Sequence, residues 1–320
     1  MGRIRLSIAM STIGSQTLQS TLENLSQLKN DSDFEFEICV FNNGNDAIRE
    51  KIFTLIPSDQ LVFQESKIQL AMWESRRKSL ELCTGEFVWP IGDDDLISLS
   101  NLGILHKNLK NLDTELLLLN GEWNNYAGKS GNLSRTPKYN KDYSSQSELL
   151  RDLNTKVNSM DLGRFVASRE LNKFWINQPG TIEETWHEEY RALYNAIDGF
   201  ITFNKTIKVK VIPEPLITLG SVEKSWSSNF FKARFGEVRM LETLPNSYSP
   251  NNLLVAKKLR KYLESYLHLI SCRVRGIWLT DLENVNYLSN KTKRRIKLIG
   301  KIHPEKLTFL RAYLKYKRGF

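Results

Sequence analysis

Three consecutive aspartates follow an apolar run in the segment VWPIGDDDLIS, residues 88–98. Like charges this close repel one another, so the cluster adds little stability to a soluble domain unless a cation lies nearby. Asp93 and Asp95 are two positions apart, and they can therefore turn to the same side and share a hard divalent ion. Mg²⁺ and Mn²⁺ take oxygen ligands and commonly bridge carboxylates to substrate phosphates. The segment therefore predicts a metal and phosphate site.

A simpler alternative is that the aspartates precede a helix, where acids favour the dipole of the first turn and Ser98 caps the helix. That alternative accounts for one aspartate, but not for three after Gly92. A calcium loop of the helix–loop–helix type is excluded because its glycine and its later glutamate are absent. Cys39, Cys83 and Cys272 match no metal-binding spacing, and we expect reduced thiols.

Alternating strands and helices surround the aspartates. Apolar runs predict strands at residues 4–10, 36–41, 60–64, 86–91 and 115–123, and helices at 18–28, 46–56, 70–83 and 99–109. We take Gly85 as the C-terminal cap of the third helix. This alternation predicts an α/β fold with a mostly parallel sheet and helices on both faces. The aspartates then lie at the carboxyl end of a buried strand, where open α/β sheets bind ligands.

Two common nucleotide-binding motifs are absent, because STIGSQT rather than G-x-G-x-x-G follows the first strand and no GK[ST] follows any strand. Four other segments occur in an informative order: LSIAMSTIGSQTLQSTLENL, ICVFNNGND, ESRRKSLELCTGEFV and GDDD. Together they resemble the inverting family 2 glycosyltransferases of the GT-A (Rossmann-like) fold, over about residues 4–123. Asn42 stands where the family has an acid, and the usual Asn-x-Gly before the arginine helix is missing.

The resemblance implies a nucleotide-diphosphate sugar donor, which we expect to be a UDP-sugar, and a Mn²⁺ or Mg²⁺ ion. In the family pattern Asp93 and Asp95 would bracket the metal, and Asp94 would face the sugar or ribose. The residues implied near the base and ribose are Ser11, Thr12, Asn42, Asn43 and Arg76. The alternatives are an ordinary surface role for Arg76 and a simple turn at residues 42–45.

The implied activity is transfer of a sugar, with inversion, to a glycan or lipid-linked acceptor by a hexosyl- or N-acetylhexosaminyltransferase. The implied pathway is synthesis of a capsule, O-antigen or lipooligosaccharide. Inversion requires a general base, and the family places a carboxylate at the start of a helix beyond the metal motif. Residues 178–197, QPGTIEETWHEEYRALYNAI, fit that description. Our candidates, in order, are Glu184, Glu188, Glu183 and His187, although Glu184 also fits a T-x-x-E helix cap.

Charge is distributed unevenly along the chain. Residues 257–320 contain 17 Lys and Arg and four acids, a net charge of +13, and the total of +9 leaves −4 for the first 256 residues. We therefore predict a GT-A glycosyltransferase domain at 1–250 and a basic helical C-terminal extension at 251–320. The extension suits packing on the catalytic domain, an anionic membrane surface or nucleic acid. The simplest alternative is an ordinary solvated basic face.

If the protein bound nucleic acid, GDDD would have no explanation, and the chain has no RNA-binding aromatic motif, so we expect no nucleic-acid partner. A sugar nucleotidyltransferase would share the strand–helix order and the acidic ligands, but STIGSQT lacks the arginine of the G-x-G-[ST]-R loop.

The N-terminus MGRIRLSIAM has no signal-peptide apolar region, and no segment approaches the ~20 apolar residues of a membrane span. We expect a cytoplasmic protein, with peripheral association with the inner face of the cytoplasmic membrane.

Overall fold

The computed structural model describes residues 3–31, 34–110, 114–124, 130–132, 140–152, 162–179, 188–220, 290–302 and 306–307. The chain divides into two compact units, residues 1–228 and 229–320. The predicted domain boundary after residue 250 falls outside the described residues and stays a prediction.

Ten strands and eight helices are described. The strands are β1 (Ile4–Thr12), β2 (Phe34–Asn43), β3 (Leu61–Ser66), β4 (Phe87–Ile91), β5 (Leu96–Ile97), β6 (Leu116–Asn124), β7 (Ser130–Asn132), β8 (Asn140–Tyr143), β9 (Phe165–Ser168) and β10 (Ile207–Leu219). The helices are α1 (Leu18–Leu25), α2 (Arg49–Leu55), α3 (Met72–Glu81), α4 (Leu102–Lys110), α5 (Gln146–Asp152), α6 (Arg169–Ile176), α7 (Glu188–Asn204) and α8 (Asn290–Gly300).

The strands form one sheet in the order β3-β2-β1-β4-β9-β6-β10-β5, with β7 beside β6 and β8 beside β10. Strands β1 to β4 are parallel to their neighbours within this set, and β10 is parallel to β6. Strand β9 is antiparallel to both β4 and β6. The predicted α/β fold of GT-A type is confirmed. Its sheet is mixed, because β5, β7 and β8 as well as β9 are antiparallel to the strands beside them.

The helices cover both faces of the sheet, as the alternation of side chains along β1 shows. Leu6, Ile8 and Met10 lie in an apolar cluster that also contains side chains of α1, α2 and α4. Ser7 and Ala9 must point the other way because successive strand residues alternate between faces. That side is covered by α3, which packs on β1 and β2 and also contacts α6 and α7. An internal strand buried in this way explains the near-continuous apolar run of β1.

Gly85 does not cap α3, which corrects the prediction from sequence. The helix ends at Glu81, and the following Leu82 has ordinary right-handed backbone angles. Among the described residues the glycines with positive φ are Gly14 and Gly44. A Cβ atom at Gly85 would instead lie 2.6 Å from the carbonyl oxygen of Arg5. Glycine is required there because the chain passes close to the backbone of β1.

None of the described helices combines the length and the apolar character that crossing a bilayer requires. Part of the predicted basic extension is helical, since α8 lies within residues 251–320.

Candidate functional site

The carboxyl ends of β1, β2 and β4 meet at one edge of the sheet. Thr12 of β1 is in register with Asn42 of β2, and Met10 of β1 is in register with Ile91 of β4. The acidic turn that follows Ile91 therefore emerges beside the loop that follows Thr12. Parallel strands place their last residues at the same edge, which is why polar residues far apart in sequence come together here.

Asp93 is held by the loop between β1 and α1. Its Oδ2 accepts hydrogen bonds from the Thr12 hydroxyl at 2.5 Å and from the Ser15 amide at 3.1 Å. Its backbone carbonyl accepts from the Ser15 and Thr21 hydroxyls at 2.9 and 3.1 Å. The other carboxylate oxygen, Oδ1, has no hydrogen bond to any part of the chain that the structure describes. Asp93 is half-buried, so its position is set while one oxygen stays available to a ligand.

Asp95 is buried and joins the acidic turn to the end of β10. Its Oδ2 accepts from the Gly92 amide at 2.6 Å, and its Oδ1 accepts from the Gly220 amide at 3.1 Å. A Cβ atom at Gly220 would lie 1.8 Å from the carbonyl oxygen of Asp94. Only glycine permits this approach of one backbone to another. The turn is therefore held on one side by the β1–α1 loop and on the other by β10.

The donor set suits a hard divalent cation that keeps much of its water. Magnesium and manganese sites at phosphates often use one or two carboxylates, with the remaining ligands supplied by water and substrate. The free Oδ1 of Asp93 meets that requirement. Asp95, whose carboxylate accepts the Gly92 and Gly220 amides, is the second carboxylate of this turn. Among the described residues no three acids, histidines or cysteines are arranged so that they could hold a metal ion together, so a cation here would depend on the substrate's phosphates.

Asn42 and Asn43 use their side-chain amides to hold loops. Asn42 is fully buried, and its amide both donates to the Asn45 carbonyl at 2.8 Å and accepts from the Asn45 amide at 3.1 Å. Asn43 pairs in the same way with the backbone of Leu70, at 3.1 and 2.7 Å. Their contacts with a nucleotide stay a prediction. Any such contact must use side-chain donor or acceptor positions of Asn42 and Asn43 that these loop hydrogen bonds do not occupy.

The turn after β2 brings two exposed isoleucines to the rim of the site. Gly44, with φ of +82°, passes so close to the next loop that a Cβ would lie 2.8 Å from the carbonyl carbon of Ile68. Asn45 donates to the Ile13 carbonyl at 2.6 Å. Ile13 and Ile68 are 53% and 69% exposed. They present apolar surface beside the polar strand ends, which suits the face of a flat ring.

Arg76 lies beneath the acidic turn and pairs with Glu189 of α7. The guanidinium donates to the carbonyls of Ile91 and Ala9 at 2.6 and 3.4 Å, and its Nε lies 3.6 Å from Glu189 Oε2. Both side chains are largely buried, at 11% and 7% exposure. Neither Nε nor Oε2 has a hydrogen bond to any residue that the structure describes, although both atoms are shielded from solvent. Burial raises the pKa of Glu189, and the positive charge of Arg76 opposes that rise without cancelling it.

The predicted base residues are placed only in part. Glu183, Glu184 and His187 lie outside the described residues, and Glu188 is the first residue of α7. Glu189 was not among our candidates, yet it is the acid of this segment that the structure brings to the site, through Arg76. The sequence signal was the acidic pair in EEY, of which we had chosen only the first member.

Thr21, Ser15 and Gly220 were also missed. Thr21 carries a detectable signal, because it is a polar residue within the buried stripe that Leu18, Leu22 and Leu25 form on α1. Its hydroxyl faces Asp93 for that reason. Gly220 carries no local signal, since its need for glycine arises from Asp94, which is distant in sequence.

No family model and no curated protein sequence matches this chain. Solved structures do match it. S. aureus TarS 1-349 has a TM-score of 0.52 at 12% identity, over 99% of this chain and 92% of that one. The same fragment in complex with UDP-GlcNAc has a TM-score of 0.58, and in complex with UDP 0.54, both at 13% identity and with the same coverage. At this identity the likeness identifies the fold.

Proposed function

We propose that this chain transfers a sugar from a nucleotide-diphosphate donor to an acceptor hydroxyl. The observation that carries the proposal is the anchored acidic turn, residues 92–95, in which Asp93 keeps one carboxylate oxygen outside the hydrogen bonds of the described chain. The likeness to TarS, a glycosyltransferase with a GT-A-like fold whose structures contain UDP-GlcNAc and UDP, supports a UDP-sugar as the donor. The transferred group is then a hexosyl or N-acetylhexosaminyl unit.

In this proposal the base and ribose lie against the loops that follow β1 and β2. Ile13 and Ile68 contribute apolar contact, and Ser11 and Thr12 offer hydroxyl groups at the end of β1. Asn42 and Asn43 act by holding these loops in place. Arg76 is too buried to reach far into solvent, and it supports the site from below by donating to the carbonyls of Ala9 in β1 and of Ile91 at the end of β4.

A Mn²⁺ or Mg²⁺ ion would be held by Asp93 through Oδ1, with Asp95 as the second carboxylate of the turn. When bound, such an ion neutralises the charge that a leaving diphosphate develops. The chain itself orients Asp93, because Thr12 and Ser15 fix Oδ2 and leave Oδ1 towards the ligand. Asp94, which is half-exposed, is proposed to face the sugar or ribose.

Transfer with inversion requires a carboxylate that removes the proton of the acceptor hydroxyl. We place this base in the acidic segment that leads into α7, with Glu184, Glu188, Glu183 and His187 as predicted, and we add Glu189. Burial raises the pKa of Glu189, and a carboxylate whose pKa lies closer to neutrality is the stronger base. The acceptor is proposed to be a glycan or lipid-linked glycan of a bacterial surface polysaccharide.

The test is hydrolysis of a panel of UDP-, GDP-, dTDP- and CMP-sugars by the full-length protein, with Mn²⁺ and with a chelator. We expect one UDP-sugar to be cleaved slowly to free UDP, because water can replace the acceptor, and we expect cleavage to stop with the chelator. Formation of a nucleotide sugar from a sugar 1-phosphate and a nucleoside triphosphate, with release of pyrophosphate, would instead identify a nucleotidyltransferase.

The base is located by replacing Glu184, Glu188 and Glu189 singly with glutamine, which keeps the shape but cannot accept the proton. One of the three should lose about 10²–10⁴-fold in transfer while it retains affinity for UDP. Glu170→Gln on α6, an exposed glutamate that pairs with Lys173, is the matched control. If all three variants keep near-normal turnover, the base is Glu183 or His187, or it lies outside this segment.

A further inference from the structure

Helix α8 contains positive charges and no negative ones. Its eleven residues, NKTKRRIKLIG, contain five Lys or Arg and no acid. The nearest acids along the chain are Glu283 and Glu305, on either side of the helix. In a typical surface helix, acids alternate with bases and form pairs three or four residues apart. Such pairs are absent from α8.

The helix has a buried side and an exposed basic side. Ile296 and Ile299 are 1% and 2% exposed. Lys291, Arg294 and Leu298 are exposed and follow one another at spacings of three and four, so they lie on one face. Lys301 continues that face, because the turn after the helix is held by its amide, which donates to the Leu298 carbonyl at 3.2 Å. We call Lys291, Arg294, Leu298 and Lys301 the basic face.

The electrostatics of the helix itself do not account for this face. Lys291 and Arg294 are in the first turn or close to it, where the positive end of the helix dipole disfavours cations, and that turn holds no acid. Neither residue, nor Lys301, has an ion pair within the described part of the chain. Cations three residues apart also repel one another. An external anion would stabilise these cations, which the helix itself does not stabilise.

Leu298 indicates the kind of anion. It is 56% exposed in the middle of the basic face, where a leucine gains nothing from a purely polar partner. A helix with cations around an apolar side chain suits a lipid leaflet, because the cations meet the headgroups while the leucine reaches the acyl boundary. Single-stranded nucleic acids are bound through aromatic side chains that stack on bases, and α8 has none.

We propose that the basic face of α8 binds an anionic phospholipid surface. The net charge of +13 over residues 257–320 has the same sign as this face and would strengthen the attraction. Each well-placed Lys or Arg changes the partition onto an anionic leaflet by about fivefold. The three cations of the basic face should therefore raise this partition about 100-fold in total. Added salt should lower the partition, because it screens surface charges.

The test is sedimentation of the full-length protein with vesicles, without any sugar donor. We expect binding to phosphatidylglycerol–phosphatidylcholine vesicles at low salt, much weaker binding at high salt, and none to pure phosphatidylcholine. Replacing Lys291, Arg294 and Lys301 with glutamine should lower the partition about 100-fold, and Leu298→Ser should lower it several-fold. The matched control replaces three exposed lysines of the first unit, Lys29, Lys51 and Lys205, with glutamine; it should retain binding.

Three results would overturn the proposal. These are equal binding to neutral vesicles, an equal loss in the control and in the basic-face variant, and binding to RNA with none to anionic lipid. Thermal unfolding of each variant checks that the fold persists. Because no donor is present, failure of this experiment leaves the glycosyl-transfer proposal untouched, and failure of the hydrolysis panel leaves this one untouched.

Discussion

At the scale of the residue, identical side chains in the acidic turn have different surroundings. Asp93 is half-buried and has one oxygen without a hydrogen bond to the described residues, whereas Asp95 is buried and accepts an amide at each oxygen. The sequence predicts both as equal metal ligands. The structure indicates that Asp95 also holds the turn in shape, so its removal should affect the fold as well as the ligand. Asp93 is therefore the better position at which to test ligand binding, because its replacement should change the fold less.

Arg76 and Glu189 form the second residue-scale feature. Below the ordinary pKa of a glutamate, Glu189 is protonated in both the folded and unfolded chain. As the pH rises from that ordinary value to the raised pKa of the folded state, the unfolded chain releases this proton first, and the contribution of Glu189 to stability declines. Arg76 lowers the pKa of Glu189, so it limits this loss.

We predict that Arg76→Met raises the pKa of Glu189 further and destabilises the protein more at pH 7.5 than at pH 5. Removing one partner of a buried ion pair costs about 3–5 kcal/mol, and protonation of Glu189 at low pH relieves part of that cost. Denaturant unfolding at the two pH values measures the difference. Arg77→Met is the control, because Arg77 is 34% exposed and pairs with Glu81 on the surface; it should change stability by about 0.5 kcal/mol or less. An Arg76→Met cost that is the same at both pH values contradicts the pairing.

At the scale of the element, the site depends on the approach of two segments that are distant in sequence. The end of β10 reaches the acidic turn through Gly220, whose amide binds Asp95 and whose Cα faces the carbonyl of Asp94. Strand β10 therefore does more than extend the sheet, because it holds the acidic turn in position.

Gly220→Ala should displace the acidic turn, because its methyl group would lie 1.8 Å from a backbone oxygen that cannot move alone. We expect a loss of about 1–3 kcal/mol in stability and at least a tenfold loss in UDP affinity. Gly103→Ala on α4 is the control. A Cβ there meets nothing within 4 Å, and alanine favours a helix by about 0.5–1 kcal/mol. Wild-type affinity for UDP in Gly220→Ala would show that β10 does not hold the turn.

Sequence patterns predicted the strands and helices of residues 4–123, except the two-residue strand β5, because apolar periodicity reports which face of a segment is buried. They did not predict that β9 lies between β4 and β6, since periodicity contains no information about strand partners. Gly85 was misassigned for a related reason. The local sequence of a glycine between a helix and a strand is the same whether the glycine caps the helix or lies close to another backbone. The aspartates were found by residue type, whereas Ser15 and Gly220 act through contacts that exist only after folding.

At the scale of the whole molecule, the candidate site and the excess of positive charge lie in different parts of the chain. The acidic turn, the Arg76–Glu189 pair and the β10 contact all lie within residues 1–228. The first 256 residues have a net charge of −4, whereas the remaining 64 have +13. The proposed donor site in one part and the proposed anion-binding surface in the other can be tested by separate substitutions. We therefore expect the basic-face variant of α8 to retain hydrolysis of its nucleotide sugar.

The central claim is that Asp93 joins a divalent cation to a nucleotide diphosphate, and calorimetric titration of UDP into the full-length protein tests it most directly. With Mn²⁺ present, the wild-type protein should bind UDP, and affinity should fall at least tenfold with a chelator. Asp93→Asn should lower the affinity by a similar factor in Mn²⁺ and should show no further loss with the chelator, since the ion's attachment is already removed. Equal affinity for UDP in the wild-type protein and in Asp93→Asn, with and without Mn²⁺, would contradict the account.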